Sequence, residues 1–149
     1  MCTTCKMQAV GLSFCTVERR SPCPIAYGLD FFGDKWSLLI VRDIALYGRH
    51  NYGQFESAGE GIATNILANR LKNLVANGIV EKIRDPAHGS KRIYRLTKKG
   101  IDLLPMIVEI ILWSAKHDPQ SPVTRAFQHR ATRDREGLLH ELRQRALCP

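Results

Sequence analysis

The sequence predicts a mostly α-helical domain that carries one small β-hairpin. Three observations predict it. Apolar residues recur at helical spacing through most of the chain from Pro24 onward. That period breaks after Gly78, where two short β-prone runs flank a turn-rich stretch. The 149 residues, 44% of them hydrophobic, suffice for one domain with its own core and are too few for two.

Residues 1–20 are polar and small-residue rich and read as a flexible, cysteine-containing arm. Pro24 suits a first helical turn, and Ile25, Leu29 and Phe32 recur at helical spacing until Gly33. Asp34 reads as the N-cap of a second helix, Lys35 to Tyr47, closed by Gly48, with Trp36, Leu39, Ile40 and Ile44 as its apolar stripe. A short amphipathic piece follows around Phe55. The next helix opens near Ala63 and stops at Asn77 and Gly78, with Ile66, Leu67, Leu71, Leu74 and Val75 along one face.

Residues 79–84 and 92–97 then read as two strands, and Asp85 to Lys91 as a long hairpin tip. Thr97 can cap a long helix from Lys98 to about His117; Gly100 and Pro105 weaken its first turns, and Pro105 should kink it unless the regular part starts there. Residues 119–149 form a charged, helix-prone extension, in which Phe127, Leu138, Leu139 and Leu142 are the packing candidates. The expected organisation is therefore an arm over 1–20, a folded domain over 21–118 and the extension over 119–149.

The charge is concentrated. The formal net charge is +8, and residues 60–99 supply +6 of it from 9 basic and 3 acidic side chains. A polyanion, nucleic acid above all, is the partner such a segment fits. Short helix, tight turn, longer helix and hairpin in that order make a winged helix-turn-helix. An α-helix fills the major groove of duplex DNA, and a basic hairpin can lie along the neighbouring phosphates.

The motifs extend the reading. Cys23-Pro24, Gly33-Asp34-Lys35-Trp36-Ser37-Leu38-Leu39-Ile40, Tyr52-Gly-Gln-Phe55, Gly61-Ile62 and Leu67-Ala-Asn-Arg-Leu71 come first. Leu74, Asn77-Gly-Ile-Val80, Tyr94-Arg-Leu-Thr97, Gly100, Leu104-Pro105 and Trp113 follow in order. The set resembles the HxlR family of bacterial regulators from about Ser21 to His117. The resemblance implies a homodimeric winged-helix transcription factor on double-stranded DNA, usually one responsive to a small molecule or an oxidant. By position it implies a recognition helix over Ala63 to Asn77 and a wing tip over Asp85 to Lys91.

On that basis Thr64, Asn65 and Asn69 face the groove, and Arg70 and Lys72 hold the backbone. His88 and Ser90 lie on the wing tip, with Lys91 and Arg92 flanking it. Lys35, in the first turn of its helix, stands where free backbone N–H groups can hold a phosphate. The helix from Ile101 to Trp113 is apolar nearly all round, where a surface helix shows one stripe. One face covers the domain, and Ile107, Ile110, Ile111 and Trp113 are expected to meet a second copy, unless the extension folds back over them.

Cys23 precedes Pro24 at a helix start, a setting that favours an anion and so the reactive thiolate. The resemblance places it where several members carry a sensor cysteine, which makes it the redox candidate. The rival reading is a small buried hydrophobe at a helix start.

Other classes fit less well. The chain has no glycine-rich phosphate loop, nucleophile elbow or His-x-x-x-His pair, so neither an enzyme nor a bound cofactor is expected. Cys2-x-x-Cys5 with Cys15 and Cys23 has partial zinc-ligand spacing, which keeps a zinc- or thiol-based protein-interaction module as the alternative. No metal site is expected, because no second ligand pair completes the pattern. Five cysteines in a chain able to build a core suggest reduced thiols in a cytoplasm. Neither a signal peptide nor a membrane span is expected.

Overall fold

The computed structural model describes residues 21–85 and 89–147. The expectations for the arm, with Cys2, Cys5 and Cys15, and that for His88 lie outside the described residues.

Helix α1 spans Pro24–Phe32, and its proline occupies the first turn, where a missing N–H costs nothing. It buries no residue of its own in the single chain. Helix α2 spans Ser37–Tyr47, two residues shorter than expected at its start. Asp34 is nonetheless the acceptor that caps it, taking the N–H groups of Trp36 at 2.8 Å and Ser37 at 3.0 Å. Of the expected stripe only Ile40 and Ile44 are fully buried; Trp36 and Leu39 are half-buried. Val41 and Ala45 complete the inner face, together with Ser37 and Asp43, two polar residues that periodicity alone does not mark. Asp43 is neutralised by Arg42, at 2.6 Å, and Arg49, at 3.2 Å.

Helix α3, Tyr52–Glu56, opens with a reciprocal cap between Asn51 and Gln54. His50, just before it, bonds to the hairpin twice: its Nδ1 lies 2.9 Å from the Tyr94 carbonyl, and its own carbonyl accepts the Tyr94 N–H. Helix α4 spans Thr64–Ala76 and buries Leu67, Leu71 and Leu74. Gly78, at φ 66°, turns the chain out of the helix in a conformation that other residues rarely adopt.

Strands β1, Val80–Arg84, and β2, Arg92–Leu96, pair antiparallel from Val80 opposite Leu96 to Arg84 opposite Arg92. Between Lys98 and His117 the chain forms two helices rather than one kinked helix, and the regular part starts at Pro105. Helix α5, Lys98–Ile101, is capped by Thr97, and helix α6, Leu104–His117, starts with Pro105 in its first turn. Gly100 is fully buried there, because α5 lies so close to the Ile79 carbonyl that a side chain would collide with it.

The extension folds as two helices, α7 over Arg125–Arg133 and α8 over Arg135–Leu147, divided at Asp134. Asp134 caps the second, its carboxylate accepting the Gly137 N–H at 3.1 Å. Helix α8 packs on α2, β2 and α6. Its Leu138, Leu139, Leu142 and Ala146, with Ala131 of α7, join the same core as α2, α4 and the hairpin. Arg145 donates to the Leu46 carbonyl at the end of α2, and Arg135 pairs with Glu109 of α6.

This packing corrects one expectation about α6. Ile107 is only 4% exposed and belongs to the core of its own chain, not to a face for a second copy. Ile111 is half-buried against that core. The extension folds back onto α6, yet it leaves Ile110 45% and Trp113 65% exposed. Among the described residues no helix is long and apolar enough to cross a membrane.

Candidate nucleic-acid interface

The buried stripe of α4 determines what its other face presents. With Leu67, Leu71 and Leu74 inward, Thr64, Asn65, Ala68, Asn69, Lys72 and Asn73 are all exposed along one side. The helix contains no carboxylate. Its first turn is tied down by Tyr52 of α3, whose hydroxyl donates to the Thr64 carbonyl at 2.8 Å. Its flank packs on β1, so helix and hairpin form one frame.

Two of the residues expected at the backbone stand elsewhere. Arg70 points toward Asp34, Nε to Oδ1 3.5 Å, and so braces α4 against the start of α2. A partner inside the protein replaces the phosphate expected for it. Burial pushes the Asp34 carboxyl up, but hydrogen bonds from the Ser37 hydroxyl and from the Trp36 and Ser37 N–H groups, with the Arg70 charge, hold it below its usual value. Asp34 is therefore ionised at neutral pH, and the brace weakens only as pH falls through that lowered value.

Lys35 lies before α2 rather than in it. The N–H groups that were to share a phosphate with it already bond to Asp34. Its ammonium sits 4.7 Å from the centre of the Trp36 ring.

The wing gathers cations. Ser90, Lys91 and Arg92 are exposed at the tip end of the hairpin, where the Lys91 carbonyl accepts the Asp85 N–H at 3.1 Å. The register sets Arg84 directly opposite Arg92. Like charges facing each other across a ladder repel, and an anion between them removes the cost. Farther in, Arg95 is matched by Glu81 across the same ladder. Arg84 is the functional candidate that sequence reasoning missed; alternation puts it on the face of β1 that carries Val80, it is exposed because it stands at the tip end, and only the register reveals its partner.

Cys23 is exposed at the N-cap of α1 rather than buried there, and its N–H bonds to the Ser21 hydroxyl at 3.1 Å. Ile25 of α1 is 73% exposed and Leu29 51%, which leaves an apolar face on α1 as well as on α6. No group of three or more metal-ligating side chains occurs among the described residues.

Helix-turn-helix followed by an antiparallel basic wing defines the winged-helix transcriptional regulators. The comparisons narrow the class. The model of the HxlR-like helix-turn-helix family matches residues 31–122, and the chain belongs to that family. MalR of Fusobacterium mortiferum, a proposed regulatory protein, is 30% identical over 103 residues, 68% of this chain and 97% of its own length. The HTH-type transcriptional regulator Rv3095 of Mycobacterium tuberculosis is 31% identical over 64% of this chain, which spans 60% of that relative.

Two solved structures share the fold. PA1607, a proposed transcription factor, superposes with a TM-score of 0.65 at 41% identity, covering 72% of this chain and 75% of its own. The reduced form of the transcriptional regulator YodB from B. subtilis gives 0.54 at 29% identity, covering 65% and 95%.

Proposed function

We propose that two copies of this regulator bind duplex DNA at an inverted repeat, each placing α4 in the major groove and its wing on the adjacent backbone. The observation that carries the reading is the exposed face of α4, which holds hydroxyl, amide and ammonium groups and no carboxylate. The opposed Arg84 and Arg92, with Lys91 beside them, suit phosphate oxygens. Thr64, Asn65 and Asn69 meet base edges, Lys72 and the wing hold the backbone, and Arg70 positions the helix. Residues 21–118 supply the DNA-binding and dimerisation parts in this reading, and α7 and α8 brace them.

Dimerisation is argued from α1 and α6. A nine-residue helix with no fully buried residue, held to the core of its own chain through the half-buried Phe31, has little to hold it in water. Its Ile25 and Leu29, with Ile110 and Trp113, give a second copy an apolar face to cover.

Selection of bound DNA from a random pool tests the reading. A near-palindrome should emerge, with half-sites about 34 Å apart or a multiple of it. On that site, joint Lys91→Ala and Arg92→Ala substitution should weaken binding for all sequences alike. The log–log salt slope should flatten by about 0.9 for each phosphate that is no longer neutralised. Loss of sequence discrimination at an unchanged slope would reverse the roles of helix and wing.

Within the same reading Cys23 is the regulatory position, exposed beside the apolar face of α1. Peroxide should release DNA from the wild type and leave Cys23→Ser bound, with dithiothreitol restoring binding where the product is a sulfenic acid or disulfide. A wild type that stays on DNA while mass spectrometry shows Cys23 oxidised removes the residue from regulation.

A further inference from the structure

We infer that α4 reads keto bases, guanine before thymine, at two positions of each half-site, through two amides held with their NH2 ends outward. The inference rests on the DNA-binding reading above and adds the base chemistry of the target. Two hydrogen bonds carry it. Asn65 Oδ1 accepts the N–H of Ile66 at 2.9 Å, and Asn69 Oδ1 accepts Nδ2 of Asn73 at 3.2 Å.

Each amide carbonyl is thus turned onto the protein. The first supplies the opening turn of α4, whose N-cap, Ala63, has no side-chain acceptor to offer the orphan N–H groups. The second is held along the helix surface by the residue one turn on. Both asparagines are exposed, and with one lone pair of each carbonyl already taken, the unengaged NH2 is the stronger group each can offer a groove.

That orientation selects among bases. The usual asparagine contact to adenine needs carbonyl and NH2 side by side, one for N6 and one for N7. These two amides do not present that pair. Guanine offers N7 and O6, two acceptors within reach of one NH2, and thymine offers O4. Cytosine sets an amino donor against the donor, and adenine offers N7 alone, beside an amino donor that opposes the NH2. Ala68, exposed between the two asparagines, gives a methyl contact suited to the thymine C5-methyl. Four residues of helix rise about 6 Å. Base pairs repeat every ~3.4 Å, so the two positions lie about two steps apart.

The full-length wild type, Asn69→Ala and Asn73→Ala are each used to select DNA from a random pool, and the winners are compared by titration. The wild type should favour keto over amino bases about ten-fold at two positions about two steps apart. Asn69→Ala should lose the preference at one of them. Asn73→Ala, a change at an exposed position, frees the Asn69 carbonyl; adenine should rise there to within about two-fold of guanine, with the other position unchanged.

A symmetric wild-type site that carries adenine or cytosine at both positions overturns this inference and leaves the DNA-binding reading standing. So does an Asn73→Ala protein whose preference matches the wild type. A pool that enriches no site overturns the DNA-binding reading and this inference with it.

Discussion

Leu142→Ala is expected to destabilise the protein by about 2–5 kcal/mol, the usual range for a buried leucine cut to alanine. Leu142 is 3% exposed in α8, beside Leu138, Leu139 and Ala146, and that helix packs on α2, β2 and α6. Domains of this size hold about 5–15 kcal/mol in all, so the loss is a large share of the total. Urea denaturation checks it: the midpoint should fall, while Arg143→Ala, at an exposed neighbouring position, should stay within ~0.5 kcal/mol of the wild type. Equal midpoints for the two variants would mean that α8 does not belong to the core.

The match to the family model ends at residue 122, before α7 begins. The layer made by α7 and α8 therefore lies outside the region that defines the family. The family fold does not predict its packing, which has to be found in this chain. Its effect is direct: α8 braces the rear of α2 through Arg145 and Leu46, and α2 is the helix against which Asp34 and Arg70 set the angle of α4.

How much of this was legible in the sequence depends on the kind of signal. Helices α1, α2 and α4 and the two strands lie close to where periodicity and glycine stops put them, because each has a patterned apolar set and a defined end. The break between α5 and α6 was half-legible. Pro105 announced it, but the need for a glycine at position 100 arises from contact with the Ile79 carbonyl, a tertiary fact.

The extension showed its packing residues but not its partners. Leu138, Leu139 and Leu142 are apolar in a charged stretch, which marks them as buried and leaves open where. The site was legible in composition more than in geometry. Nine basic residues among forty announced a polyanion. The diversion of Arg70 to Asp34, the loss of the Lys35 phosphate site to the same carboxylate, and the facing of Arg84 and Arg92 depend on orientation and register. Spacing does not carry those. Ile107 illustrates the limit on α6: a helix apolar all round tells that it has more than one apolar face, not which residue lies on which.

In the DNA-bound dimer proposed above, Trp113→Glu should leave monomers and cost operator affinity at least about 100-fold. Trp113 is 65% exposed on α6, and Ile110 one turn earlier is 45% exposed, so neither is committed to the core of its own chain. A tryptophan buries about 150–250 Å² at an interface. Two-fold symmetry would place the same side chain at the interface twice, and each glutamate would bring a charge that must be desolvated without a partner. Two linked half-sites gain roughly 10²–10⁴ over one, and a monomer forfeits that gain.

Sedimentation reads the oligomeric state, and titration on the selected palindrome reads the affinity. Far-UV circular dichroism should stay close to the wild type, because Leu104, Ile107 and Val108 still anchor α6 in its own core. Trp113→Phe, which keeps an apolar ring, should remain dimeric. A Trp113→Glu protein that sediments as a dimer and binds the palindrome at wild-type strength would place the two-fold interface on some face other than α1 and α6.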